Sequence, residues 1–562
     1  MTSLYNHISW FLFLLCSLIV RLIFSIYLSF LGQSMLFSFN LFDSNLLDLS
    51  VSFYFDFISS WFFSIVLLIS TIIMIYSYNY ISPYSKSGYF LWFTILFVLS
   101  ILIVISINNL FFLILGWDGL GLISFFLIVY YQNPSSITSG LFTILINRIG
   151  DCFFLCSIIV FCYFSFDLTS FNYRLPRFLC ICLLLLTFIT KRALFPFSPW
   201  LPAAIAAPTP ISALVHSSTL VTAGLFLIMR FSYFFYSSVS LINILVVVRL
   251  FTSFYAGLNT IFEKDLKKLI ALSTLSHLGF IGLAYSTGLL NLAFFHILTH
   301  ALFKSLLFIT IGDIIINISH SQDIRYLSKG FCLTPFSSFT INVSLLNLLG
   351  LPTLSGYFSK DLVLEGLSYS SVSFVLYFVV ILNVFFTYYY TYTLLYFSFQ
   401  SNKLSPFFLI HSPLLIHSLL MGFLSVLAVS FGIFFMSHVY PILSFLAVPS
   451  SLKFLPLFIN ISFFILLFLF TRLLSSKRLF INSYFSQMIF LTPFMLTLMS
   501  KSYSSFTYSF NKSFEIGFFN NLINVLPASS LLSVGGLLYR QSMLNPLTMV
   551  LFSSFIFVVF RL

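Results

Sequence analysis

Apolar runs of about 20 residues recur along almost the whole of this 562-residue chain, and that recurrence restricts its solvent to a bilayer. A helix needs about 20 apolar residues to cross a hydrocarbon core about 30 Å thick, where each backbone polar group must be satisfied within its own element. The runs lie at 8–31, 57–80, 89–107, 109–131, 138–164, 177–200, 209–231, 239–259, 268–287 and 290–317. Further runs lie near 335–356, 370–399, 412–436, 456–475 and 543–561. The pattern predicts an all-α polytopic membrane protein with about 15–16 transmembrane helices. The composition excludes the soluble alternative. Hydrophobic residues make up 60% and charged residues 7%, whereas a soluble domain carries about 25% charged residues.

The net charge of +12 points away from nucleic acid, because the basic residues are thinly spread between apolar runs. Pairs such as Lys477–Arg478 and Lys267–Lys268 read as headgroup-facing or pathway residues. The seven cysteines form no CxxC pair. Cys152 with Cys156 and Cys180 with Cys182 read as small packing residues inside helices, so no metal or iron–sulfur site is expected in this chain. Neither a P-loop nor a strand followed by GxGxxG is present, so any redox cofactor is expected on a partner. The segment from His7 to Leu31 is too long and aromatic for a cleaved signal peptide. The 78 Phe and 30 Tyr suit an A+T-rich organelle genome.

Charges inside apolar runs are informative, since each costs about 2.5–3.5 kcal/mol on insertion scales. Asp118 interrupts the run from Leu110 to Tyr131, within Gly116-Trp117-Asp118-Gly119-Leu120-Gly121. It has no local cation and must meet one from another helix. Arg148 and Asp151 stand three apart in Asn147-Arg148-Ile149-Gly150-Asp151, either as a structural ion pair or as part of a pathway. His296, His300 and Lys304 fall at i, i+4 and i+8, which stacks three titratable groups on one helix face as a relay would require. His216 follows Pro208-Thr209-Pro210, and the hydroxyls of Ser217, Ser218 and Thr219 could order waters beside it or satisfy bonds between helices.

Two segments carry matching interruptions. Thr190-Lys191-Arg192-Ala193-Leu194-Phe195-Pro196 continues to Pro199 and Pro202, and Gly350-Leu351-Pro352 leads through Gly356 to Ser359-Lys360-Asp361. Each places a lysine beside a broken apolar helix, and broken helices in corresponding positions point to a transporter's ion site. Burial disfavours a charged lysine while a nearby carboxylate favours it, so moving the carboxylate loads or unloads a proton. A Lys191–Asp118 pair could work in this way, or it could be a structural salt bridge.

These runs in this order resemble the antiporter-like chain 5 subunits of respiratory complex I, strongly over 55–370 and by layout elsewhere. The matching motifs include Trp200-Leu201-Pro202, Pro208 to Thr219, Lys264-Asp265-Leu266-Lys267-Lys268 and Thr299-His300-Ala301-Leu302-Phe303-Lys304. The resemblance implies two inverted five-helix repeats, assigned to 109–260 and 261–400, after N-terminal helices and a polar loop in 1–108. Additional helices at 401–475, a lateral helix region at 476–542 and a terminal transmembrane helix at 543–562 complete the expected layout. For 476–542 the residues alone also allow an irregular tail with one ordinary span.

The implied function is proton pumping across the mitochondrial inner membrane, coupled to NADH oxidation and ubiquinone reduction elsewhere in the complex. The implied proton pathway is Asp118, Lys191, His216, His300, Lys304 and Lys360, supported by Arg148, Asp151, Asp265, His296 and Asp361. Implied partners are the antiporter-like chains 4 and 2 and lipids such as cardiolipin; FMN, iron–sulfur clusters and ubiquinone would bind other subunits. Two other readings share the charges: an Mrp-type cation/proton antiporter subunit and a non-pumping membrane scaffold. Three departures from the family pattern stand out. Asp118 replaces a common glutamate, Arg192-Ala193-Leu194 replaces Ser-Ala-Gln, and Ala203 replaces an acidic residue of bacterial relatives. A second cation beside Lys191 opposes its charging unless Arg192 finds an acid or a lipid phosphate of its own.

Overall fold

The computed structural model describes residues 2–44, 47–81, 87–164, 174–318, 321–327, 334–369, 374–399, 415–439 and 455–470, with five isolated positions between 497 and 508. The chain divides into two compact units, Met1–Ile489 and Phe490–Leu562, and the described helices belong to the first. The expected lateral region 476–542 and terminal helix 543–562 lie outside the described residues apart from those isolated positions.

Helices α1 (Thr2–Leu31), α2 (Phe57–Ile81), α3 (Ser87–Ser106), α4 (Leu110–Ile128) and α5 (Pro134–Phe164) open the fold. After α6 (Arg174–Lys191) and the short α7 (Trp200–Ala204) comes α8 (Thr209–Arg230), which contains a π-helical turn at Ser212–Thr219. Helices α9 (Val239–Thr260), α10 (Leu266–Ser286) and α11 (Leu290–Asn317) follow. Then come α12 (Pro335–Leu349), a π-helical turn at Tyr357–Asp361, α13 (Leu362–Tyr369), α14 (Phe374–Phe399), α15 (Leu415–Phe434) and α16 (Leu455–Phe470).

Among the described residues, 11 helices are long and apolar enough to cross a membrane. The count is below the expected 15–16 for identifiable reasons. The run at 177–200 stops at Lys191, the run at 335–356 stops at Leu349, α16 has 16 residues, and the run at 543–561 lies outside the described residues. Both stops are conformational. Ala193 (φ 53°) ends the first, while Gly350 (φ 79°) and Thr353 (φ 76°) bracket the second. Glycine takes that left-handed conformation freely, whereas alanine and threonine are strained there.

The polar loop expected within 1–108 contains an antiparallel hairpin of β1 (Met35–Ser44) and β2 (Leu47–Phe55). Its second strand alternates Leu47, Leu49, Val51, Phe53 and Phe55 with Asp48, Ser50, Ser52 and Tyr54, the period of two that a strand requires. The hairpin continues into the helical body through Asn108 N, which donates to Ser52 O at 3.0 Å.

Burial divides the helices into shells. The apolar windows of α8, α10 and α11 are wholly covered by other helices, whereas that of α1 is 17% buried. A helix apolar on every side can be buried anywhere in a bilayer protein. The polar residues identify the inner three, since α8, α10 and α11 carry His216, His277, His296, His300 and Lys304, all nearly inaccessible. Small residues permit this packing. A Cβ at Gly150 on α5 would stand 2.1 Å from Thr190 Oγ1 on α6, and one at Gly116 would stand 2.9 Å from Ser100 O on α3.

Candidate functional site

The first polar cluster is built by α4, α5 and the last residue of α6. Asp118 Oδ2 lies 3.7 Å from Arg148 Nη1, and Arg148 Nη1 lies 3.4 Å from Asp151 Oδ2. The second oxygen of Asp151 lies 3.6 Å from Lys191 Nζ. Asp151 therefore stands between two cations with one oxygen toward each, and Arg148 stands between two carboxylates. The Lys191–Asp118 pairing considered from the sequence is not made: Lys191 is within ion-pair reach of Asp151, and Arg148 takes Asp118. The physical reason is the close α5–α6 contact at Gly150, which brings Asp151 against the end of α6. Arg148 and Asp151 stand in the middle of α5, away from its ends.

Lys191 Nζ also donates to Trp117 O at 2.5 Å and lies 4.2 Å from the Trp117 ring centroid. Gly121 lies alongside the ammonium, where a Cβ would stand in ordinary contact at 3.6 Å from Nζ. The cluster is graded in exposure: the side chains of Asp118 and Arg148 are 38% and 42% exposed, while Asp151 and Lys191 are buried. For the inner pair, Coulomb attraction at 3.6 Å is about 4–5 kcal/mol at an effective dielectric of about 20. Desolvation costs several kcal/mol per ion, so the two terms nearly cancel. Small movements of Asp151 can then change which cation holds it.

His216 occupies the π-helical turn of α8, with its ring centroid 6.4 Å from that of Trp200. Trp200 Nε1 in turn donates to Thr190 O at 2.9 Å, tying α7 to the end of α6. The neighbouring hydroxyls bond back into their own turn. Ser218 donates to Leu214 O at 2.9 Å, Thr219 to Leu214 O at 2.6 Å, and Ser217 to Ala213 O. They satisfy the irregular backbone of the turn, and among the described residues they bridge to no other helix.

The second cluster lies among α10, α11, α14 and the turn Tyr357–Asp361. Lys304 Nζ donates to Ser273 Oγ at 2.7 Å and stands 5.5 Å from the Tyr390 ring. His300 is 5.7 Å from His277, and His277 is 5.9 Å from His296, centroid to centroid. His277 Nε2 reaches Tyr390 Oη at 3.1 Å, and His296 Nδ1 reaches Ser359 Oγ at 2.9 Å. Thr299 Oγ1 also donates to Ser359 Oγ, at 3.0 Å. Lys360 Nζ donates to Thr387 Oγ1 at 3.0 Å and Leu348 O at 3.3 Å. Among the described residues neither Lys304 nor Lys360 has a carboxylate within 4.0 Å, in contrast to Lys191.

His277, Tyr390, Ser273, Ser359 and Thr387 join this cluster without having been singled out by sequence. His277 could have been found by the rule that selected His300, a titratable residue within an apolar run. Tyr390 carried no such signal among 30 tyrosines. Asp361 sits next to Lys360 but points its Oδ1 toward Gly350, where a Cβ would stand 3.4 Å away. Asp265 lies off the polar axis, immediately before α10, and pairs with Lys268 at 3.0 Å on the exposed rim. Ala203 lines a cavity of about 810 Å³ together with Lys267, Lys268 and Gln132. Among the described residues no group of three or more His, Cys, Asp or Glu is placed to hold a metal ion.

Two family models match the chain. One, described as NADH:quinone oxidoreductase/Mrp antiporter, TM, covers residues 107–387. The other, described as NADH-Ubiquinone oxidoreductase (complex I), chain 5 N-terminus, covers residues 41–90. NADH-ubiquinone oxidoreductase chain 5 of Locusta migratoria is 39% identical over 501 residues, 85% of each chain. The chain 5 protein of Anopheles quadrimaculatus is 42% identical over 369 residues, 64% of each chain. Among solved structures, a chain of the Mrp complex from Dietzia sp. DQ12-45-1b aligns with a TM-score of 0.70 at 20% identity, over 91% of this chain and 59% of that one. A chain of respiratory complex I from Thermus thermophilus aligns with a TM-score of 0.62 at 20% identity, over 78% and 93% respectively. At those identities the likeness establishes the antiporter-like fold.

Proposed function

The chain belongs to the NADH-ubiquinone oxidoreductase chain 5 family, a membrane proton-translocating subunit of complex I, and from that membership we propose that its protons move along the buried line from Lys191 to Lys360. The observation that carries this reading is Asp151, whose two oxygens face Arg148 on one side and Lys191 on the other. When Asp151 leans toward Lys191, the ammonium has its counter-ion. When Asp151 leans toward Arg148, Lys191 loses that support and gives up its proton. His216, then Lys304 with His300, His277 and His296, carry it on to Lys360. Proton and charge are conserved at each step, because a neutral lysine or imidazole accepts what the preceding group releases.

Asp118 and Arg148 are the input to this switch. They are the half-exposed pair, and both stand mid-helix, where contact with bare lipid would be costly. They fit a protein neighbour in the membrane arm, the antiporter-like chain 4 or 2, whose own charge displacement would pull Arg148 away from Asp151. The setting is the mitochondrial inner membrane with lipids such as cardiolipin at the rim, and FMN, iron–sulfur clusters and ubiquinone are held by other subunits. Two inverted repeats, 109–260 and 261–400, account for the paired interruptions near Lys191 and Lys360.

Proteoliposomes containing the native complex test the reading against cation exchange. NADH should drive proton uptake in sodium-free medium. Sodium-dependent proton exchange without NADH oxidation would overturn the assignment in favour of an Mrp-type antiporter.

A further inference from the structure

Among the described residues Arg192 meets no acid; it is fully buried beside a second buried arginine, Arg249 of α9. A Cβ placed on Gly282 of α10 would stand 3.0 Å from Arg192 Nη2 and 3.0 Å from Arg249 Nε, so the two nitrogens can be no more than twice that distance apart. Arg249 Nη1 donates to Gly282 O, and its guanidinium lies 5.0 Å from the Tyr285 ring centroid. Five guanidinium nitrogens are still buried without a partner: Nε, Nη1 and Nη2 of Arg192, and Nε and Nη2 of Arg249. Tyr285 Oη is buried without a partner as well. Among the described residues no carboxylate lies within 4.0 Å of either arginine, and none acts on them electrostatically.

Buried donors are almost always satisfied, and adjacent like charges in a low dielectric repel strongly. The arrangement therefore calls for an anion. We propose that Arg192, Arg249 and Tyr285 form a buried site for a small inorganic anion of chloride size, bound by charge-assisted hydrogen bonds from both guanidinium groups and by the Tyr285 hydroxyl. The fold is shaped for the two arginines. A Cβ at Gly224 would stand 2.6 Å from Arg192 Cγ, and one at Gly282 would stand 2.7 Å from Arg249 Cδ, so both side chains run over glycine. Full burial within the chain excludes a lipid headgroup or a partner's carboxylate. A cavity of about 500 Å³ lined by Tyr236, Val246, Leu250 and Leu283 reaches the residues flanking Arg249 and Gly282. The occupant would balance charge one residue from Lys191 without touching the Asp151 pair.

Bromide exchange on the intact complex tests the site. Complex purified in bromide should show one anomalous scattering peak between Arg192 and Arg249, and it should disappear on return to chloride. Density there that shows no anomalous signal in bromide means that water satisfies the arginines, and overturns the proposal. In equilibrium binding with radiolabelled chloride, the double variant Arg192→Gln, Arg249→Gln should lose one equivalent relative to wild type. Unchanged binding would likewise overturn it. Should that variant fail to assemble, the bromide measurement on the wild-type complex decides alone.

Discussion

At the scale of single residues, the site depends on which carboxylate each cation meets. Asp151 touches Lys191 and is buried, whereas Asp118 reaches the lysine only through Arg148 and is partly exposed. Their amide variants should therefore differ. Asp151→Asn would strand a charged, buried Lys191 at a cost of about 3–5 kcal/mol, so the lysine is left neutral and proton transfer stops. Asp118→Asn keeps the Lys191 counter-ion and should lower the protons moved per electron by less. Measuring that ratio in both assembled variants checks the order, and equal losses would argue against Asp151 as the pivot. The sequence made the scarce charges legible, because a carboxylate in an apolar run is conspicuous. It could not assign partners. Arg148 and Asp151 are three apart on one helix, but that Lys191 reaches Asp151 and not Asp118 depends on the α5–α6 packing at Gly150.

At the scale of elements, the interruptions are held by close contacts that substitution should reveal. A Cβ at Gly356 would stand 1.7 Å from Asn347 O, against backbone that cannot yield cheaply. Gly356→Ala should cost at least about 1–3 kcal/mol and lower the thermal stability of the complex. Gly422→Ala, where the nearest atom would be a Phe336 ring carbon at 3.3 Å, should cost less. The turn between α9 and α10 gives a pH test outside the membrane spans. Burial pushes the Glu263 carboxyl up from 4.5 to about 7, with Lys268 opposing. A raised folded value means the folded state holds a proton that the unfolded state releases. Its stabilising contribution is complete below 4.5 and lost as pH rises through about 7. Thermal melts between about pH 5 and pH 8 should therefore fall more steeply for wild type than for Glu263→Gln; parallel slopes would refute this. Spans were legible from hydropathy because a bilayer imposes length and composition. The hairpin at 35–55 was hidden by its short alternation, and the π-helical turns by their dependence on tertiary packing.

At the scale of the whole molecule, the covered helices α8, α10 and α11 carry the histidines and Lys304, and the outer helices shield them from lipid. That arrangement explains why a chain so poor in charge keeps lysines and histidines in its interior. Isolated buried charges serve stability badly, so a fold retaining them is expected to use them. The central claim is that Lys191 carries protons as part of that interior line. The most direct test is the number of protons translocated per electron by assembled complex bearing Lys191→Met, reconstituted in tight proteoliposomes with NADH and a quinone. The account predicts that NADH oxidation persists while the proton-to-electron ratio falls below that of wild type. An assembled variant with the wild-type ratio would contradict it, and would leave Lys191 as a structural partner of Asp151.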